Sequence, residues 1–446
     1  MKPIVLHHRP RAGQTAAAPL FALESNYDYT RKYRRQSRRV ERASLTLLFF
    51  ADRVMLLPRS ANGLAMLRAL AERLPLRRDG DGDGDGDAFS LALDASAPLR
   101  RRLAQLLGLL QPFQADASFG LYGFFTYELL HAELGLPCDL LGLFHLPEQL
   151  SVDGQPHGYF VDPEADDGPA PPPDLARFID LDRFAAGRNA EHGPMYRAAS
   201  QQIADGQVRS VNPSFAIRRP TARSAYQIYQ ALQAKNLAPY NLFFDAGPFQ
   251  LAGASPAMFL RIRGGRVETS PICGTVARGR DETEDRAQIA KLLASEKDDF
   301  ELAECVRADL AAKQASCRDA TLLAAKEIEK FANVFHTSAH VAATLREGCT
   351  AADAIADHLW PATILGTPAA AAARLLAEHE SRHWYGGAFG YLTAAGEVDL
   401  GTIIRSALLR DGVATTRVGS TLTRHSSAPA EQRELEAKAA LILGVL

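Results

Sequence analysis

The sequence predicts an α+β fold with extensive antiparallel sheet, and three observations carry that reading. Short apolar strand patterns, some punctuated by glycine, recur along the chain. Long Ala/Leu-rich runs with helical spacing gather mainly in its second half. The two kinds are interleaved in blocks, without the regular alternation of a doubly wound parallel sheet. At 446 residues, 47% hydrophobic and 23% charged, the chain is long enough to bury a substantial core. Fifty basic against 52 acidic residues leave a net charge of −2, which argues against nucleic acid or an anionic membrane as partner and leaves a small molecule. The five cysteines, Cys138, Cys273, Cys305, Cys317 and Cys349, are odd in number and never spaced C-x-x-C. That spacing excludes a disulfide framework or zinc site and suits a reduced cytoplasm. No run of eighteen apolar residues and no apolar leader is present, so neither a membrane span nor a signal peptide is expected.

In order, residues 1–20 read as a flexible leader and residues 21–446 as a single domain, with an N-terminal subregion at 21–175 and a catalytic-type core at 190–446. Leu45–Phe50 and Val54–Leu57 flank Ala51-Asp52-Arg53 and read as a strand pair. Leu64–Leu76 and Leu99–Leu110 have helical spacing, and Phe119–Phe125 is a glycine-punctuated strand. Asp79–Asp87 alternates Asp with Gly; it lacks the spacing and closing Glu of an EF-hand and reads as a solvated linker. The Pro-rich stretch Asp162–Asp174 reads as a second loop. Helices are then expected at Met195–Gly206, Ala225–Ala234, Arg286–Leu293, Asp299–Ala315, Ala351–Leu359 and Ala369–Glu380. Strands are expected at Val208–Ile217, Leu242–Asp245, Phe249–Ala252, Ala257–Ile262, Arg266–Thr269, Ala388–Leu392, Thr402–Leu409 and Ala414–Val418.

Chemistry concentrates between Ser255 and Lys438. Glu301 and Glu304 are three apart in an expected helix, and Glu431 and Glu434 repeat the spacing in the last one, so each pair shares a helix face. Two such faces across a pocket would hold a hard divalent cation, Mg²⁺ above all; the plain alternative is surface glutamates. His336 and His340 lie four apart without the Glu of a zincin motif. Arg405 interrupts the apolar run Thr402-Ile403-Ile404, and an arginine in a core strand calls for a carboxylate partner.

In this order the motifs resemble the large subunit of anthranilate synthase, in the chorismate-utilising family, and most closely the synthase part of the glutaminase-fused enzymes. Glu268–Gly279 resembles ETCPISGTIARG, Arg382–Gly390 resembles RRWYGGAFG, and Arg417–Leu422 resembles RVGATL. The resemblance implies two antiparallel sheets with surrounding helices around one central pocket. It implies that Glu301, Glu431 and Glu434, with Asp298 near, hold Mg²⁺ against one carboxylate of chorismate. Tyr385, Arg405, the Gly419 amide and Lys438 would take the enolpyruvyl carboxylate, Gly274 and Thr275 would line the pocket, and His340 would assist proton movement. It also implies a separate glutamine amidotransferase subunit or free ammonium as nitrogen source. Phe21–Ser25 and Asn236–Tyr240 resemble the segments used in tryptophan feedback.

The chain departs from the family pattern at chemically important places. GASPE becomes Gly253-Ala254-Ser255-Pro256-Ala257, which loses the expected acid for the departing ring hydroxyl, a change worth about 10²- to 10⁴-fold. An Arg-Asn-Asp triplet becomes Leu310-Ala311-Ala312, the lysine of TGAPK becomes Ala369, and Ser210 stands where other members carry Gln, Glu or Lys. One carboxylate is gained at Glu304, expected to serve as a metal ligand or a relocated acid. The functional expectation is a divergent, Mg²⁺-dependent chorismate-utilising lyase of specialised metabolism. A catalytically silent paralogue that binds a ligand or partner is the rival, and a lyase or isomerase acting on a related substrate is the third alternative.

Overall fold

The computed structural model describes residues 2–8, 18–27, 30, 32–79, 88–162, 173–189 and 191–446. Most of the Asp/Gly run and of the Pro-rich loop lie outside these residues, as does the middle of the expected leader. The described start of that leader is structured: Ile4–Val5 pairs in parallel with Phe113–Gln114, and His7 bridges to Phe160.

The sheet grows in two antiparallel arms from one long strand, Gln36–Phe49. Register shifts between Val40 and Leu45 let this strand serve both arms, as bulges do where a strand passes from one sheet to another. One arm runs through Phe21–Ser25, Tyr240–Asp245, Gln250–Ser255, Ser406–Arg410, Val413–Gly419 and Ser214–Pro220. The other runs through Gly142–Val152, Gly120–Phe125, Ala388–Thr393, Val398–Thr402, Met258–Arg263, Arg266–Thr269 and Val334–Leu345. Its last strand pairs with both Ile272–Ala277 and Cys317–Lys330. The expected α+β class with large antiparallel sheet is therefore what the chain adopts, with the two sheets joined through a shared strand.

Aromatic side chains hold the arms together. Phe21 stacks on Phe389 at 4.8 Å between centroids, and Phe124 meets Phe244 edge-on at 5.2 Å; all four rings are buried. Such pairs add about 0.5–1.5 kcal/mol beyond their area burial.

Two helices finish the pocket. Glu296–Ser316 starts at Ser295, whose hydroxyl accepts the Asp298 amide at 3.2 Å, and its first turn carries three acids, which suit the positive end of the helix dipole. Ala428–Leu443 starts with a proline in its first turn, where the missing N–H costs nothing.

The structure corrects two local expectations. Thr402–Leu409 is not one strand: Val398–Thr402 ends, the chain turns, and Ser406–Arg410 begins in the other arm. The long hairpin of Cys317–Lys330 and Val334–Leu345 has no counterpart in the sequence expectations. Its outer strand leaves Leu322 and Leu323 exposed, so the apolar alternation that marks a strand is missing.

Candidate active site

A pocket opens where the two arms face the two helices. Its floor is the paired segment Ile272–Ala277 and Val334–Leu345. The register slips between Cys273 and Thr275, so Gly274 is the bulged residue, with φ of +57°. Glycine is favoured there because a side chain is strained at such an angle and a Cβ would meet Leu292, Thr337 and Asp298 at 3.0–3.1 Å.

Opposite the bulge sits His336. Its Nδ1 lies 2.8 Å from the Gly274 carbonyl and 3.0 Å from Thr275 Oγ1. A carbonyl can only accept, so Nδ1 carries the proton and Nε2 presents its lone pair to Arg405 Nη2, 3.4 Å away. Burial, then the Arg405 charge, press its pKa down to about 3, so the ring is neutral.

Arg405 lies in the turn between the arms with φ of +51°, a strained angle for a residue with a side chain. It is 7% exposed, and burial lowers its pKa to about 10. Among the described residues no carboxylate forms an ion pair with it, so these residues do not supply the partner expected from sequence. Beside it are Tyr385, Gly419 and Lys438. A Cβ on Gly419 would come within 2.4 Å of Asn212 Oδ1, and Lys438 Nζ donates to the Gly419 carbonyl at 3.0 Å and pairs with Glu434 at 2.6 Å. Behind this wall Glu380 joins Arg382 at 2.7 Å and Arg417 at 2.9 Å, all buried, which holds the Val418-Gly419 backbone in place.

The acidic wall comes from the two helices. Lys297 Nζ lies 2.9 Å from Glu431, 3.6 Å from Glu301 and 3.9 Å from Glu434. Burial drives the Glu301 pKa up to about 8, against Lys297 and with the repulsion of Glu434, Asp298 and Glu431. Burial also pushes Glu434 upward, yet Lys438 and Lys297 leave it below the usual carboxylate range. Glu301 Oε1 and Glu431 Oε2 are buried without a hydrogen-bond partner. These are oxygen donors of the kind a hard cation takes, but no three of them bring their oxygens within 4.8 Å of one another, and Lys297 supplies the positive charge among them.

The structure thus brings together Gly274, Thr275, Tyr385, Arg405, Gly419, Lys438, Glu301 and Glu434, with Glu431 reached through Lys297. It does not bring His340 there. That ring sits on the same strand as His336, and four extended residues carry it about 13 Å further along; its Nε2 meets Glu268 Oε1 at 3.2 Å. The histidine of the pocket is His336, and the strand register, invisible in sequence, makes the difference. Glu304 also stands apart. It is buried, pairs with Arg307 and lies 3.0 Å from Arg209, and with Ser210 it lines a smaller neighbouring cavity. It is therefore neither the exposed helix glutamate nor a wall of the main pocket. Sequence reasoning also missed the buried pair Cys273 and Cys305, whose sulfurs are 3.5 Å apart. Phe21–Ser25 and the segment before Tyr240 are neighbours: Asn26 accepts the Ala238 amide at 2.9 Å.

Two antiparallel arms that enclose a pocket with fixed cations at one end and buried carboxylates at the other define a small-molecule site of enzyme type. Residues 24–444 match the family model of the chorismate binding enzyme, and the chain belongs to that family. It is 34% identical over 435 residues to the anthranilate synthase of Azospirillum brasilense, a match covering 86% of this chain and 56% of that protein. It is 33% identical over 250 residues to anthranilate synthase component 1 of Acetivibrio thermocellus, covering 55% of this chain and 50% of that one. The chain spans about half the length of the curated relatives it matches. Among solved structures, anthranilate synthase component I from Streptococcus pneumoniae superposes with a TM-score of 0.66 at 22% identity, covering 97% of this chain and 95% of that one. The menaquinone-specific isochorismate synthase of Escherichia coli superposes with 0.61 at 17% identity, covering 90% and 88%. At these identities the structural likeness shows the fold. No helix among the described residues is long and apolar enough to cross a membrane.

Proposed function

We propose that this pocket binds chorismate with the help of Mg²⁺ and turns it into an aminated or aromatised product, as the relatives named anthranilate synthase suggest. One observation carries the reading: Arg405 is buried beside Tyr385 and Lys438 without a carboxylate of its own. A buried cation left unpaired is costly, and a substrate carboxylate removes that cost. Its planar fork suits a carboxylate bidentately, with Lys438 and the Gly419 amide closing around it.

Glu301, Glu434 and Glu431 would hold Mg²⁺, which when bound neutralises the second carboxylate of the substrate. Neutral His336 has its Nε2 lone pair inside the pocket and would take the ring proton in aromatisation. The C–H electron pair becomes a ring double bond as the C–O bond to the enolpyruvyl group breaks, and that group, protonated at its methylene carbon, leaves as pyruvate. Amination places ammonia on the ring and expels the ring hydroxyl as water, a departure that needs a proton. Ala257 offers none at the wall where an acid is expected. The nitrogen would come from free ammonium or from a glutamine amidotransferase subunit. Ala257 also supports a second reading, a paralogue that binds chorismate without converting it.

Calorimetry with chorismate, with and without Mg²⁺, followed by product analysis with added ammonium, tests both. Mg²⁺-dependent binding and a new ring product support the enzyme. Binding without product supports the silent paralogue, and no binding overturns the pocket reading.

A further inference from the structure

Three of the departures noted in the sequence meet in one place. Ala257, Ala312 and Ala369 come from the link between strands Gln250–Ser255 and Met258–Arg263, the last turns of Glu296–Ser316 and the start of helix Ala369–His379, yet all three line a second chamber of about 130 Å³. The chamber adjoins the anionic pocket and shares Ala257, Ile272 and Thr363 with it as a common wall. Alanine stands at each position where the resembling motifs carry a carboxylate or an ammonium. Space is opened and fixed charge removed together.

The remaining wall has its own chemistry. Met258, Phe259, Leu359 and Trp360 make it apolar and aromatic on one side. On the other, Asp309 is occupied: its Oδ2 lies 2.9 Å from Lys313 Nζ and accepts Thr269 Oγ1 at 2.7 Å, while Lys313 also reaches His358 at 3.2 Å. Asp357 is different. Its side chain is 8% exposed, one oxygen meets Arg100 at 3.2 Å, and Oδ2 is buried with no hydrogen-bond partner. A buried carboxylate oxygen without a donor is unfavourable and asks for an N–H or O–H.

We propose that this chamber is a binding site for a second small molecule, an amine with an aromatic or compact apolar body. The body would lie against Phe259 and Trp360 and the nitrogen would donate to Asp357 Oδ2. Lost charge at Ala257, Ala312 and Ala369 admits the apolar part, and the one unsatisfied oxygen of Asp357 takes the cationic end. Because the shared wall is Ala257, the molecule would sit beside whatever fills the anionic pocket. The inference does not depend on that occupant being chorismate.

Benzylamine titrated into the full chain without chorismate or Mg²⁺, followed by ligand-observed NMR, is the test. Expected are saturable binding, at least tenfold weakening in Ala312→Leu, which refills the chamber, and similar weakening in Asp357→Asn, which keeps shape and removes charge. Circular dichroism melts matching the wild type show that either variant is folded; should Ala312→Leu not fold, Ala369→Met at the exposed mouth replaces it. Binding unchanged by the filling variant and by Asp357→Asn, or no saturation at millimolar benzylamine, overturns the proposal.

Discussion

At the scale of single residues, the pocket rests on a few groups whose surroundings leave them one partner short. Arg405 is the clearest. Replacement by Ala removes a charge-assisted contact worth about 1.5–3 kcal/mol, so chorismate affinity is expected to fall about tenfold to hundredfold, read by calorimetry. Because the cation is otherwise unpaired by carboxylate, the same change is expected to leave the melting temperature unchanged or higher. Ala257 is the opposite case, a residue with too little chemistry. Ala257→Glu places a carboxyl at the pocket wall, and chorismate consumption in the presence of ammonium and Mg²⁺ is expected to rise at least about tenfold. An unaltered rate would show that the missing acid does not limit the reaction. Glu304 shows how far a residue's surroundings can differ from its pattern. Its helical spacing from Glu301 and from Arg307, one turn on, was readable, whereas its capture by Arg209 depends on a chain segment almost a hundred residues away.

At the scale of elements, the helices Glu296–Ser316 and Ala428–Leu443 meet through Lys297, which balances three carboxylates. Lys297→Met leaves that cluster repelling itself. Its melting temperature in EDTA is expected to drop below that of the wild type and to recover with millimolar Mg²⁺, which would take over the charge. Recovery with NaCl alone, and none specific to Mg²⁺, would show that the cluster is not a divalent-cation site. The helices themselves were legible because Ala/Leu-rich runs with apolar residues at helical spacing act within a few positions. The hairpin Cys317–Lys330 with Val334–Leu345 was not, since its exposed outer strand lacks alternation and is held by pairing with its neighbour. That omission is why His336 and His340 could not be told apart: only the register, Thr275 opposite His336, sets one against the pocket.

At the scale of the whole molecule, buried histidines make the fold acid-sensitive. His145 and His336 are held down to about 3 and His358 to about 4, in each case first by burial and then by a nearby cation, Arg59, Arg405 or Lys313. A histidine whose folded pKa is depressed binds its proton only when the chain unfolds, so its contribution is whole above about pH 6.5 and is lost as pH falls toward 3–4. Melting temperature is therefore expected to decline steadily from pH 6.5 to 4. The slope is expected to be shallower in His145→Gln, which can keep contact with Thr46 and Asp245 and does not titrate.

What the sequence determined by itself is local or recorded in ordered motifs. It set the α+β class through periodicity, the main helices through composition and apolar spacing, and the family through three motifs in a fixed order. It also showed which charged residues are absent. Tertiary structure alone decided which histidine faces the pocket, that Glu304 is tied to Arg209, that Arg405 pairs with no carboxylate among the described residues, and that Ala257, Ala312 and Ala369 border one chamber. Periodicity acts over a few residues and so is written along the chain. The register of a long hairpin and the convergence of residues more than a hundred positions apart are settled by the packing of the two arms against the helices, which no local pattern encodes.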